Sequence, residues 1–327
     1  MDIRVTRARR IFSDGRHNAF TGIAALGGRT FIGFRSGTTH MTLDGAVKVI
    51  ASADMEKWEV VAEKRHPEFD LRDAKMVMFK NAVMVFFGAR GKAGLQQSMM
   101  CQSTDGVSFG DPVVLKGVPA KHWLWCACPC GDALYGTAYG TDKGEYGVAL
   151  YRSGDGQAWE KVVDFPVTGN ETFIDFDRAG VLWALVRDDH RGCIPTLCTA
   201  EPPYTKFRSV TRLPMRLQGP MLKRLDGGCV IACRQWDLPG RRNLRTDLVW
   251  LEDGNDPRLV RSLPSGGDTS YAGWLDVAQG RAVLSYYSAH SHKMDEPHAN
   301  DAAFAKDGAH AEHSTPADIF LADISYA

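Results

Sequence analysis

No apolar run in this sequence approaches the ~20 residues a membrane-spanning helix needs. Nor does an apolar core of roughly seven to fifteen residues follow the basic start, Met1 to Arg10, as in a secretory signal. The expectation is a soluble protein of the cytoplasm. Excess charge of one sign is also lacking: 39 Lys and Arg balance 39 Asp and Glu. That balance argues against a nucleic-acid partner and against attraction to an anionic membrane. No segment sustains a helical period. The eight cysteines, at 101, 126, 128, 130, 193, 198, 229 and 233, mostly sit in apolar runs. In a large chain without a signal they read as buried free thiols, not as a disulfide framework.

What is present is a repeat. Ser52-Ala-Asp54-Met-Glu-Lys-Trp58 matches Ser103-Thr-Asp105-Gly-Val-Ser-Phe109 and Ser153-Gly-Asp155-Gly-Gln-Ala-Trp159, with the aspartates 51 and then 50 residues apart. The pattern is a hairpin turn: the carboxylate accepts turn amides, glycine allows positive φ, and the aromatic plugs the sheet. Degenerate copies stand at Glu201-Pro-Pro203 and Glu252-Asp-Gly254.

Aligned on these turns, the chain divides into six units. Each opens with two apolar runs split by a turn: Phe20–Phe34, Ala74–Phe87, Trp123–Ala138, Thr172–Val186, Pro220–Cys233 and Tyr271–Tyr286. Short strands with regular turn signals predict an all-β fold, a six-bladed β-propeller of four-stranded antiparallel blades. Asp2–Val5 and Ile319–Ile324 both read as strands, and sharing the last blade would close the ring without an exposed edge. One domain, 1–327, is expected. Residues 288–316, rich in His, Ala and Asp, interrupt it as a flexible insertion, with a lid over the site as the alternative.

A propeller brings its innermost strands together at the axis. Their starts supply Asn18 or Phe20, Asp73, His122, Glu171, Gln218 and Tyr271. The ends of the second strands return to the same face with Arg35, Arg90, Tyr139, Arg187, Arg234 and Tyr287. The third strands add His40, Gln97, Tyr146 and Arg242. So polar a funnel beside apolar strands argues for a ligand site. Trp123 and Trp125 beside His122 are placed to stack on a sugar. Cys126, Cys128 and Cys130 share one strand face and read as a buried strand, with metal binding the alternative.

The turn resembles the Asp-box (BNR repeat), and the chain resembles the sialidase (neuraminidase) superfamily. That family has an Asp opening its second blade, where Leu71-Arg72-Asp73-Ala74-Lys75 stands here. It has a Glu opening the fourth blade with an Arg some sixteen residues on; here Glu171 and Arg187 are sixteen apart. An Arg before the fifth turn matches Arg242, with Arg241 and Arg245 as neighbours. A Tyr opening the sixth blade matches Tyr271 in Thr269-Ser270-Tyr271. The family's Arg-Ile-Pro motif at the first blade is missing; the stretch reads Arg16-His17-Asn18-Ala19-Phe20. Arg16 or Arg35 is the substitute.

The resemblance implies an exo-acting, retaining glycoside hydrolase for an acidic sugar, sialic acid or a related sugar acid. Asp73 would be acid/base, Tyr271 nucleophile and Glu171 its helper. Arg187 and Arg242 would clamp the sugar carboxylate, with Arg35, Arg72, His122, Arg234 and Tyr287 completing the substrate site. No cofactor is implied. The partner would be a small saccharide or glycan terminus. The alternatives are a non-catalytic carbohydrate-binding propeller, or a sugar-acid lyase or His-dependent glycosidase on the same fold.

Overall fold

The computed structural model describes residues 1–142, 145–238, 242–292 and 316–327, and of Asp142, Glu145 and Arg242 it describes the backbone alone. It is all β: six four-stranded antiparallel sheets, arranged as the blades of a six-bladed propeller. β1 (Ile3–Phe12) is held back for the last blade. The first blade is β2 (His17–Leu26), β3 (Arg29–Gly37), β4 (Ala46–Ser52) and β5 (Glu59–Lys64). The second is β6 (Asp70–Phe79), β7 (Ala82–Gly91), β8 (Gly94–Ser103) and β9 (Val113–Val114). The third is β10 (Trp123–Cys130), β11 (Ala133–Asp142), β12 (Glu145–Ser153) and β13 (Trp159–Asp164). The fourth is β14 (Thr172–Phe176), β15 (Leu182–Val186), β16 (Thr196–Ala200) and β17 (Ser209–Arg212). The fifth is β18 (Gln218–Leu225), β19 (Gly228–Asp237), β20 (Arg242–Glu252) and β21 (Arg258–Ser262). The sixth joins β22 (Thr269–Ala278), β23 (Arg281–Ser288) and β24 (Asp318–Tyr326) to β1. The pairing of β1 with β24, from Ile3↔Tyr326 to Phe12↔Ile319, is the closure expected from the sequence. Residues 293–315, most of the expected insertion, lie outside the described residues.

Burial falls from the axis outwards. All seven residues of β4 are buried, because neighbouring blades cover both faces of a middle strand. The outermost β17 is exposed along its four residues, and β9 is only two residues long. Short outer strands give other chains little edge to pair with. The core fills the space between blades; Met84 and Phe86 of β7, for example, pack with Leu124 of β10 and with Trp159.

Trp159 belongs to the third Ser-x-Asp turn. There Asp155 Oδ1 accepts the amides of Gln157 (2.8 Å) and Ala158 (2.9 Å), and Ser153 Oγ accepts that of Gly156 (2.8 Å). The same contacts recur at Asp54 and Asp105. The residue after each Asp has positive φ: Met55 60°, Gly106 70° and Gly156 79°. The amides of Ala158 and Gln157 keep Asp155 below the usual carboxylate range, more than burial raises it. Its stabilisation is therefore full above the unfolded value of ~3.9 and fades as pH falls below that. Asp155→Ala is expected to lower the Tm by several degrees at pH 7, and by less at pH 3, without changing ligand binding. Scanning calorimetry at the two pH values measures this; an unchanged Tm would make the turn dispensable.

The innermost strands carry a device that periodicity does not show. Five of them, all but β14, hold a bulge near their start: Ala19/Gly22, Arg72/Lys75, Leu124/Cys126, Gln218/Met221 and Ser270/Gly273. In four of these the bulge holds a residue at positive φ: Phe20 63°, Asp73 58°, Gly219 54° and Tyr271 53°. A bulge re-aims the side chain of its extra residue. Three of the four, Phe20, Asp73 and Tyr271, point into the pocket at the axis.

Candidate active site

That pocket holds about 530 Å³. Tyr271 enters from the sixth blade and is 6% exposed. Its hydroxyl donates to Glu171 Oε1 at 3.0 Å and accepts from Arg187 Nη1, also at 3.0 Å. The same Nη1 bonds the second oxygen of Glu171. Glu171 sits just before β14 and Arg187 just after β15, so one hairpin of the fourth blade presents both. The other side of the Arg187 fork grips Asp189, Nε to Oδ1 at 2.9 Å and Nη2 to Oδ2 at 2.8 Å. Burial pushes the Tyr271 phenol well above its usual range and Glu171 adds to this, against Arg187 and Arg234. At rest it is a neutral phenol hydrogen-bonded to the Glu171 carboxyl group.

Asp73 stands on the second blade, 4% exposed, and its buried Oδ1 has no hydrogen-bond partner. Burial pushes its carboxyl up to about 7, against the pull of Arg72 and Lys75, and Glu171 adds to the rise. A carboxyl poised there can donate a proton near neutral pH and take one back. Arg72 faces the pocket while its Nη1 donates to His40 O (2.8 Å) and Asp70 Oδ2 (3.1 Å).

A second polar centre forms where blades five, six and one meet. Asp268 Oδ1 accepts from Arg234 Nη2 (2.8 Å) and the Tyr287 hydroxyl (2.7 Å), and Oδ2 meets His17 Nε2 (2.8 Å) and His40 Nδ1. Burial would raise this acid, but His40, His17 and Arg234 hold it well below the usual range. His17, His40 and Asp268 place three possible metal donors within 4.8 Å of one another. The Asp268 oxygens already serve four donors, one a guanidinium, which disfavours a dication there. Trp123 and Tyr139 form the opposite wall, their rings stacked at 6.2 Å and 17°.

The structure thus brings Asp73, Glu171, Tyr271, Arg72, Arg187 and Arg234 to one pocket. Three expected residues are placed otherwise. Arg35 is fully buried; its fork is spent on Asp70 Oδ1 (2.7 Å), Thr39 O (2.8 Å) and Thr42 O (2.7 Å), so it ties down the loop carrying His40. Tyr287 is buried beneath the pocket, bonded to Asp268 and Arg234, and does not line it. His122 turns to Ala120 O (3.2 Å), leaving its neighbours Lys121 and Trp123 to line the pocket. The side chain of Arg242 lies outside the described residues. Arg16 pairs with Asp44 (2.7 Å) and does not line the pocket. Asp189 and Asp268 escaped the sequence reading. Their only signals are an acid two residues after Arg187 and one three residues before Tyr271.

Gly219 shows how closely the site is built: a Cβ added there would lie 2.7 Å from Tyr271 Cε2. With φ at 54°, Gly219→Ala adds backbone strain to the clash. We expect it to displace the Tyr271 ring and weaken ligand binding at least tenfold, with the other five blades intact. Calorimetric titration beside a circular dichroism spectrum checks this; wild-type binding would show that the ring has room.

No family model and no curated protein matches the chain. Solved structures share its fold. A protein of unknown function from Dyadobacter fermentans superposes with TM-score 0.78 at 15% identity, covering 99% of both chains. The phage phi92 endosialidase gives TM-score 0.70 at 9% identity, over 98% of this chain and 69% of its own. Trypanosoma rangeli sialidase, in a complex with 2,3-difluorosialic acid described as a covalent intermediate, gives 0.67 at 12% identity, over 94% of this chain and 54% of its own. The Bombyx mori GH32 β-fructofuranosidase gives 0.54 at 14% identity, over 96% and 61%. This chain spans little more than half the length of the last two.

Proposed function

We propose that this protein is an exo-acting, retaining glycoside hydrolase of the sialidase type, acting on an acidic sugar. The supporting observation is the Tyr271–Glu171–Arg187 network sharing a pocket with the unpartnered carboxyl of Asp73. Neutral Asp73 gives its proton to the leaving oxygen while the Tyr271 oxygen attacks the anomeric carbon and Glu171 takes the phenol proton. Arg187, 3.0 Å from that oxygen, stabilises the charge that develops on it. Asp73, now a carboxylate, then takes a proton from water, which attacks the glycosyl–tyrosine bond; Glu171 returns its proton to the phenolate. Two displacements retain configuration. A phenol suits a sugar bearing a carboxylate at the anomeric carbon, because an anionic nucleophile would be repelled. Arg234, 5.3 Å over the Tyr271 ring and lining the same pocket, is the cation that would meet such a carboxylate.

The test is a panel of aryl sialosides, uronides and neutral glycosides, with 2,3-difluorosialic acid as a trapping probe read by intact mass and peptide mapping. Turnover of an acidic glycoside with an adduct on Tyr271 is expected. Folded protein without turnover or adduct would remove the hydrolase. Turnover restricted to neutral glycosides would remove the acidic substrate, an outcome to which the pairing of Arg187 with Asp189 and of Arg234 with Asp268 gives weight.

A further inference from the structure

Lys75 is a buried lysine with no carboxylate partner among the described residues. It lies on β6, two residues beyond Asp73 and past the bulge, and is 7% exposed. The other buried cations near the pocket have carboxylate partners: Arg35 and Arg72 have Asp70, Arg187 has Glu171 and Asp189, and Arg234 has Asp268. Among the described residues Lys75 has none within 4.0 Å. Its one hydrogen bond is a long one to Thr21 O, at 3.3 Å. The ammonium lies over two aromatic rings, 4.7 Å from the centre of Trp125 and 5.6 Å from that of Tyr271. Burying a charge with so little compensation is expensive, and a methionine would fill the same space. Lys75 does not line the pocket, so it touches no ligand.

We propose that Lys75 is a positioning residue: from beneath the floor, its ammonium offsets negative charge on the Tyr271 oxygen during attack and on Asp73 once its proton has left. This rests on the roles proposed above for those two residues. Burial lowers the Lys75 ammonium from its usual range, against the groups that face it and favour its charge: Asp73 on its own strand, Glu171 before β14 and Cys126 on β10; Tyr271 on β22 also faces it. Asp73 also feels Arg72, Asp70 and Glu171, and Tyr271 feels Arg187 and Arg234. The pocket therefore has cations on its walls and one below. A fixed charge under a ring favours the electron-rich phenolate over the phenol.

The test compares Lys75→Met, Lys75→Gln and Lys75→Arg. Asp73 is titrated by carbon-13 carboxyl NMR, its signal assigned by its loss in Asp73→Asn. Both neutral variants are expected to move the Asp73 midpoint upward by about one pH unit or more, and Lys75→Arg to hold it near wild type. On whichever glycoside the protein cleaves, kcat is expected to fall about tenfold or more in the neutral variants, with KM little changed and the basic limb displaced upward. An unchanged Asp73 midpoint in both neutral variants would overturn the proposal. So would a fall in kcat with no displacement of the limb, which is what mere packing would give. If no glycoside is turned over, the hydrolase reading fails by itself, and the NMR titration still decides whether Lys75 sets the charge at Asp73.

Discussion

Tyr271→Phe is expected to lower turnover of the best glycoside by at least ~10³-fold and to abolish any covalent adduct. The variant removes one oxygen. Phe keeps the ring that packs edge-on against Phe20 at 5.0 Å and Trp125 at 5.6 Å. It also faces the same backbone demand at φ 53°, so the fold should be unaffected. What is lost is the hydroxyl between Glu171 and Arg187, two groups that remain bonded to each other without it. The loss should therefore fall on kcat, with KM changed only a few-fold. A Tyr271→Phe protein that keeps a tenth of wild-type turnover, or still forms the adduct, would show that another group attacks the sugar.

The fold was legible because its signals repeat. Three Ser-x-Asp turns one blade apart, and a strand pattern at each end of the chain, leave little choice but a closed ring of six blades. The pocket was legible in part, because blade register alone decides which strand ends reach the axis. Register does not say which way a side chain turns there. Arg35 and Arg187 both stand at the end of a second strand, yet Arg35 turns down to Asp70 and two loop carbonyls while Arg187 turns in to Glu171. The difference lies in where the acid stands: Asp70 of the next blade draws Arg35 down, whereas Glu171 and Asp189 of its own blade hold Arg187 in the pocket. The bulges were hidden for a related reason. Positive φ at Phe20, Asp73 and Tyr271 is carried by residues with no intrinsic preference for it, Asp apart, and is imposed by the surrounding sheet. Lys75 was visible as a letter in the second-blade motif. That no carboxylate among the described residues comes within 4.0 Å of its ammonium is a property of the packed core alone.

Asp73→Asn is expected to stabilise the protein while removing its activity. The carboxyl titrates at about 7 in the fold and at ~3.9 in the unfolded chain. Between those values the folded protein holds the proton and the unfolded chain has released it, so this group's contribution to stability falls as pH rises. At ~1.4 kcal/mol per unit, three units set an upper bound of about 4 kcal/mol lost by pH 8. Asn carries no charge at any pH, is nearly isosteric and tolerates φ near 58° better than most residues. The Tm of Asp73→Asn should thus match wild type near pH 4 and exceed it by several degrees at pH 8. Its turnover should fall by ~10²–10⁴-fold, the usual range for loss of general acid–base help. Azide, which attacks the glycosyl–tyrosine bond without needing a base, should recover part of that loss on an activated aryl glycoside. A Tm difference independent of pH would show that Asp73 is ionised in the fold and is not the acid; an active Asp73→Asn would assign the proton to another residue.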